Sequence, residues 1–347
     1  MVHRDAALSV LTVLVAGCAH TVAGVDEADG GREQGVVDAG VADRALSDVS
    51  PTHDANAPDA EGVPEARDAG EAPDGAAPQG CIDDVSVGHH VYTCSGIKMD
   101  VEIPPECAAP RACGLVVDSH GLTMDAQMED DNTNMRALGI KYGFIVVQPN
   151  ANPAPPFSSW TATTDDPVLF AFISTAISAL AVDPGRIHMT GFSDGGEATW
   201  RFLCAHADLF ASVAAAAGQG CAFTGADTPS REIPVLYMHG TRDALVDFQS
   251  VAIPLRDAVV AGWSMGTPTT VAQGSGYVRT QWTSANGTVF EFLQHDYAAA
   301  ETILGGHCFP GSTDPGNQTG QLFSLACVAP NAFTWGEEVM KFFVAHD

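Results

Sequence analysis

Apolar residues between positions 113 and 294 gather in six short runs: 113–118, 143–148, 186–190, 211–217, 234–239 and 289–294. Most of these runs are apolar throughout, the pattern of strands covered on both faces. Longer segments with helical spacing lie between and after them, at 126–141, 166–181, 195–207, 247–261 and 333–346. Asp166-Pro167 is a helix start, an N-cap acceptor followed by a proline whose missing N–H costs nothing there. Strand and helix in alternation predict an α/β fold, a mainly parallel sheet with helices on both faces. Residues 84–103, with polar and apolar positions interleaved, predict an antiparallel pair leading into that sheet.

The first 80 residues read differently. Residues 6–16 are an apolar run too short to span a bilayer, which takes about 20 residues, and read as a secretion signal. It ends in Val15-Ala16-Gly17-Cys18, which resembles a bacterial lipobox whose cysteine becomes a lipidated N-terminus. An ordinary cleaved signal that removes Cys18 is the alternative. Residues 19–80 are Ala, Asp, Gly, Glu and Pro in low-complexity order without one aromatic residue, a composition that cannot bury enough apolar area to offset ordering entropy. The expected organisation is a lipoprotein leader over 1–18, a disordered linker over 19–80 and a catalytic domain over 81–347. The expected location is extracytoplasmic, on the membrane through the lipid anchor or free.

Charge and cysteine usage narrow the function. Acids outnumber bases 43 to 15, spread as 15 to 4 in residues 1–80 and 28 to 11 thereafter. No basic face is available for a nucleic acid. The nine cysteines include no C-x-x-C pair, which argues against structural zinc and dithiol redox chemistry. Setting Cys18 aside leaves eight, enough for four bridges. Pairing neighbours along the chain gives 81 with 94, 107 with 113, 204 with 221 and 308 with 327, one of 105 connectivities that eight cysteines allow.

Gly191-Phe192-Ser193-Asp194-Gly195 follows a predicted strand and opens a predicted helix, the context a G-x-S-x-G nucleophile elbow requires. A hydroxyl nucleophile needs a base, and the base needs a group that fixes its tautomer. Asp243 stands in the loop after strand 234–239, and His307 follows the paired glycines 305 and 306 after the last strand. Asp247 and His295 are the alternatives for acid and base, the first placed as a helix-start charge and the second at a strand end. His120 and His239 suit hydrogen bonds to loop backbone. Two amides should receive the oxyanion, those of Asp194 and Leu122, and the Asp194 side chain is expected to point outward and cap its helix. Neither a cofactor nor a metal is required by this chemistry.

With these residues placed, the segment from about 110 to 346 resembles the secreted polyhydroxybutyrate depolymerase and feruloyl esterase family of α/β hydrolases. The matching stretches are Asp118-Ser119-His120-Gly121, Tyr142 to Pro149, Val182 to Ile187, the elbow, His239-Gly240-Thr241-x-Asp243 and Gly306-His307-x-x-Pro310-Gly311. The resemblance implies a serine esterase with the α/β-hydrolase fold, a Ser193, Asp243 and His307 triad, and Trp160 near the substrate pocket. Departures from the family pattern at Cys308-Phe309 and around Trp160 leave the ester class open. A serine peptidase of the same fold and a non-catalytic surface lipoprotein are the competing readings.

Overall fold

The computed structural model describes residues 79–108 and 112–347. The proposed leader, Cys18 and all but the last two residues of the proposed linker lie outside the described residues. The described fold begins inside that linker's expected boundary, because Gln79 already pairs with Ile82. Among the described residues no helix is long and apolar enough to cross a membrane.

A ten-stranded sheet organises the chain. Its strands are β1 (Gly88–Cys94), β2 (Ile97–Ile103), β3 (Cys113–Ser119), β4 (Phe144–Asn150), β5 (Val182–Phe192), β6 (Ser212–Ala216), β7 (Val235–Gly240), β8 (Thr269–Gly274), β9 (Tyr277–Thr283) and β10 (Val289–His295). They stand in the order β1-β2-β4-β3-β5-β6-β7-β10-β9-β8. The six strands from β4 to β10 are mutually parallel, while β1, β2, β8 and β9 join as antiparallel edges. This is the α/β-hydrolase fold.

The central strands are buried along their length because both faces are covered. Strand periodicity sends Leu115, Val117, Ile145 and Val147 into one core, and Val116, Phe144, Val146 and Phe192 into the other. Among the described residues there are six α-helices: α1 (Ala126–Thr133), α2 (Met135–Tyr142), α3 (Asp165–Ala179), α4 (Asp194–His206), α5 (Ile253–Gly262) and α6 (Trp335–Ala345).

Three expectations are corrected in detail. The helix expected over 126–141 is two helices, since Asn134 takes left-handed φ 54°, ψ 32° and closes the first on the Asp130 carbonyl. The helix expected from 247 starts with a wide turn over Phe248–Ala252 before α5. The β8–β9 hairpin was not expected, because its exposed, polar residues carry little hydrophobic signal.

Connectivity reverses at β3. The chain passes from β3 to β4 on one side, then crosses to β5 on the other, so the ends of β3 and β5 diverge at the C-terminal edge. Such a switch point leaves a crevice into which the following loops project.

Four disulfides join Cys81–Cys94, Cys107–Cys113, Cys204–Cys221 and Cys308–Cys327, the neighbour pairing expected from the sequence. Bonds of this kind persist in oxidising, extracytoplasmic compartments. Peptide mapping without reduction should recover these four pairs. Replacing both Cys308 and Cys327 by serine should lower the stability of the oxidised protein by about 2–4 kcal/mol in denaturant titrations, given the 19-residue separation the bridge closes.

Candidate active site

Ser193 sits alone between the end of β5 and the start of α4, at φ 54°, ψ −116°. A residue with a β-carbon is strained in that conformation and stays there only because its surroundings fix it. Three backbone approaches do so. A Cβ on Gly191 would overlap the carbonyl of Gly195, one on Gly195 would overlap the carbonyl of Ser119, and one on Gly196 would overlap that of Ala216. The Ser193 N–H donates to Ala216 O at 2.8 Å, and the Ser193 carbonyl accepts the Glu197 N–H at 2.9 Å. Glycine at 191, 195 and 196 is therefore what lets the helix start against the ends of β3 and β6.

Asp243 and His307 meet at the same edge. His307 Nδ1 donates to Asp243 Oδ2 at 2.8 Å. The other oxygen, Oδ1, accepts the N–H groups of Leu245 and Val246 at 2.9 and 2.8 Å. Burial alone would raise the Asp243 pKa, but the charge and hydrogen bond of His307, with His239 and the backbone, outweigh it and hold this carboxyl below the usual aspartate value. Gly305 and Gly306 are needed because the histidine loop lies directly on the acid loop: Gly306 N donates to Arg242 O at 2.7 Å, and a Cβ on Gly305 would overlap the same carbonyl. The imidazole of His307 packs 4.8 Å from the ring of Phe192, which precedes Ser193. No hydrogen bond joins the Ser193 hydroxyl to His307 among the described residues. In free enzymes such bonds are often long and tighten with substrate.

The alternatives resolve by position. Asp247 is exposed and caps the turn at 248, accepting the Ser250 N–H at 2.8 Å. His295 is 1% exposed and stacks on Tyr297 at 5.5 Å, and burial pushes its pKa down to about 3. His239 donates from Nε2 to the Val246 carbonyl and accepts the Tyr237 hydroxyl at Nδ1, both at 2.8 Å, so it braces the turn that carries Asp243. Its Nε2 also lies 3.4 Å from Asp243 Oδ2, a contact invisible at the level of sequence.

The two amides expected to receive an oxyanion are free of protein acceptors: among the described residues neither the Leu122 N–H nor the Asp194 N–H has one, and Asp194 stands at the N-terminus of α4, where partial positive charge collects. The loop carrying Leu122 is tied down by His120, which donates from Nδ1 to Gly121 O at 2.8 Å and accepts the Ala151 N–H at Nε2 at 2.9 Å. That pattern needs a neutral ring, and burial lowers the His120 pKa to about 4.

The Asp194 side chain corrects the capping expectation. Its Oδ2 accepts the Ser159 hydroxyl at 3.0 Å and the Trp160 N–H at 2.8 Å, and it makes no cap bond. Trp160, expected at the pocket, is 6% exposed, with its ring against His120 and its indole N–H donating to His120 O at 2.8 Å. Thr123 N in turn donates to Ser158 O at 2.9 Å. Residues 158–160 thus form a strap between α4 and the Leu122 loop. Glu197, one turn into α4, is a further acid at the site, pushed up to about 7 by burial first and by the Asp194 charge second.

A surface hollow of about 450 Å³ lined by residues such as Arg231, Glu232, Trp263 and Asn286 opens elsewhere. It lies before the N-terminal ends of β7 and β10, the opposite edge from Ser193.

Gly195→Ala should force the end of β3 away from the elbow, costing about 1–3 kcal/mol by thermal or denaturant unfolding. The Asp243 to His307 bond adds stability that is present above the ordinary aspartate value of 3.8 and disappears as pH falls through the lower folded value. An Asp243→Asn variant should therefore be less stable than wild type at neutral pH and converge with it in acid, as followed by denaturant titration at several pH values.

No family model matches the chain. It is 28% identical over 159 residues to a bifunctional acetylxylan esterase/xylanase of Neocallimastix patriciarum, covering 45% of this chain and 23% of the relative. It is 28% identical over 158 residues to feruloyl esterase B of Piromyces equi, covering 43% and 30%. The chain thus spans less than a third of the length of these curated relatives. Among solved structures, the acetyl xylan esterase from Aspergillus awamori superposes with a TM-score of 0.51 at 14% identity, over 60% of this chain and 92% of that one. The chain has the α/β-hydrolase fold and resembles the feruloyl and acetylxylan esterases.

Proposed function

We propose that the chain is an extracytoplasmic serine esterase that cleaves carboxylic esters through an acyl-enzyme on Ser193. The observation that carries this reading is the 2.8 Å bond from His307 Nδ1 to a buried, ionised Asp243, beside a serine held at a strained strand-to-helix turn.

The bond fixes the imidazole with its proton on Nδ1, which leaves Nε2 as the base. Ser193 Oγ attacks the ester carbonyl carbon as His307 Nε2 takes its proton. The carbonyl oxygen becomes an oxyanion received by the N–H groups of Asp194 and Leu122, donors that need not reorganise as charge develops. Collapse expels the alcohol, which takes the proton from His307. A water molecule then repeats the sequence on the acyl-enzyme and frees the acid.

The relatives' names direct the substrate choice to feruloyl and acetyl esters. Polyhydroxybutyrate-like esters belong in the same trial, since the resemblance of the motifs extends to that family. Residues 81–347 are the catalytic domain in this reading. Residues 1–18 are its export signal, Cys18 its lipid attachment point and 19–80 its tether.

Ser193→Ala should reduce kcat/KM on short nitrophenyl esters by about 10³-fold or more, and His307→Ala by a similar factor. A fluorophosphonate should label wild type and not Ser193→Ala. Wild-type protein that neither hydrolyses the esters nor takes the label would refute the reading. A panel of feruloyl esters, acetylated sugars, hydroxybutyrate oligomers and peptide amides, compared by kcat/KM, assigns the substrate class.

A further inference from the structure

Two carboxyl groups lie buried behind the loop that carries the Leu122 amide. Asp118, at the end of β3, is 1% exposed, and Glu129, in α1, is 0% exposed. Asp118 Oδ2 is well supplied, accepting the Thr133 hydroxyl at 3.0 Å and the Gln148 amide at 2.8 Å. Asp118 Oδ1 and both oxygens of Glu129 receive no N–H or O–H donor from the described residues. The two side chains face each other, and the backbone of Gly121 adjoins Glu129.

Orphaned buried carboxylate oxygens are costly, and two adjacent carboxylates cannot both stay charged in such a place. One proton removes most of the difficulty. Asp118 already has two donors on one oxygen and is the better anion. Glu129 has no well-formed hydrogen bond, its nearest donor being the Gly121 backbone N–H, so the proton belongs on Glu129, whose O–H then donates to Asp118 Oδ1.

We propose that Glu129 is a positioning residue for the oxyanion loop, stapling α1 to the end of β3 through one proton held in common with Asp118. The staple closes the segment from 118 to 129, which contains Ser119, His120, Gly121 and Leu122. It rests on the esterase reading for its effect on rate but not for its existence.

The surrounding charges agree with a retained proton. Asp130, also in α1, adds negative charge, offset by Arg136 of α2, whose Nε lies 4.0 Å from its Oδ1. Arg136 is shared with Asp100 of β2 at 3.7 Å. Gln148 of β4 is neutral, His120 of the loop is neutral, and on α6 Glu337 is engaged by Lys141 at 2.8 Å. No cation touches the Asp118 and Glu129 pair among the described residues. Burial, and then the Asp118 charge, hold the Glu129 carboxyl well above the usual range. The folded state therefore binds a proton that the unfolded chain releases, so the staple is complete at low pH and is lost as pH rises through its folded value.

The test compares wild type, Glu129→Gln and Asp118→Asn, whose amides supply the donor permanently, with Glu129→Leu, which cannot. Circular dichroism and thermal melts establish folding. Wild-type kcat on nitrophenyl acetate should fall on the alkaline side. Both amide variants should keep kcat within about threefold at neutral pH, with KM unchanged and that alkaline fall reduced or absent. Glu129→Leu should lose about tenfold or more in kcat at every pH, the scale of a displaced catalytic group. The infrared difference spectrum of wild type minus Glu129→Gln at neutral pH, in which the contribution of Glu197 is common to both, should show a positive protonated-carboxyl band. Absence of that band from the difference spectrum, an unchanged alkaline limb in both amide variants, or a melting temperature raised by calcium and lowered by EDTA would overturn the proposal. Absence of ester hydrolysis in wild type would instead refute the esterase reading, and the infrared comparison would still decide whether the proton is there.

Discussion

The structure of the site depends on one backbone constraint, the left-handed turn at Ser193. It brings the first turn of α4 so close to the ends of β3 and β6 that glycine is the only residue that fits at 191, 195 and 196. The turn exposes the serine side chain at the sheet edge and aims the N-terminus of α4 at the same space. In the proposed mechanism nucleophile and oxyanion donor are thus two consequences of one chain reversal. The strain is held by the Ser193 to Ala216 bond and by the packed strands on either side.

The remaining parts reach this turn by long detours, and each is fastened by short local contacts. Asp243 is held by the amides of its own turn, and His239 closes that turn from beneath. His307 is pressed onto Asp243 by a glycine pair that lets two loops touch along their backbones. The disulfide at Cys308 then ties the chain just beyond His307 to Cys327. On the opposite side the strap at 158–160 links Asp194 to the Leu122 loop, so the carboxylate beside the nucleophile works as an anchor. Two donors occupy its Oδ2, which offsets part of the cost of burying it.

The parts of this arrangement that were legible in the sequence are those encoded locally. Central strands announced themselves because burial on both faces demands unbroken apolar runs, and the four nearest-neighbour disulfides followed chain order. The elbow was legible because its glycines are sterically compulsory. The β8–β9 hairpin was not, since an exposed edge imposes little hydrophobic pattern, and the break at Asn134 was hidden inside an apparently continuous helical spacing. Contacts between distant residues left no trace at all. Asp194 with Trp160, His239 with Asp243, and Glu129 with Asp118 each depend on where the fold places a side chain that looks ordinary in its own neighbourhood. Trp160 shows the limit: an aromatic near the site was readable, but whether it faces the crevice or the core was not.

Formal charge is misleading for such a site. The 28 acids against 11 bases in residues 81–347 count every carboxyl as ionised. Yet Asp118, Glu129, Asp130, Asp194 and Glu197 are all shifted upward by burial, the first three adjoining one another near the Leu122 loop and the last two sharing the first turn of α4. Asp243 runs the other way, held ionised by His307. The two directions suit two tasks. A carboxylate that fixes a base must keep its charge, whereas carboxyls beside an oxyanion would oppose it if all were charged, most strongly where little water screens them. A proton kept on Glu129 lowers that opposition while supplying the donor its partner lacks. Burial raises the cost of every ionised group, and the donors each acid finds decide its state: Asp243 has three and stays charged, whereas Glu129 has no well-formed hydrogen bond and does not.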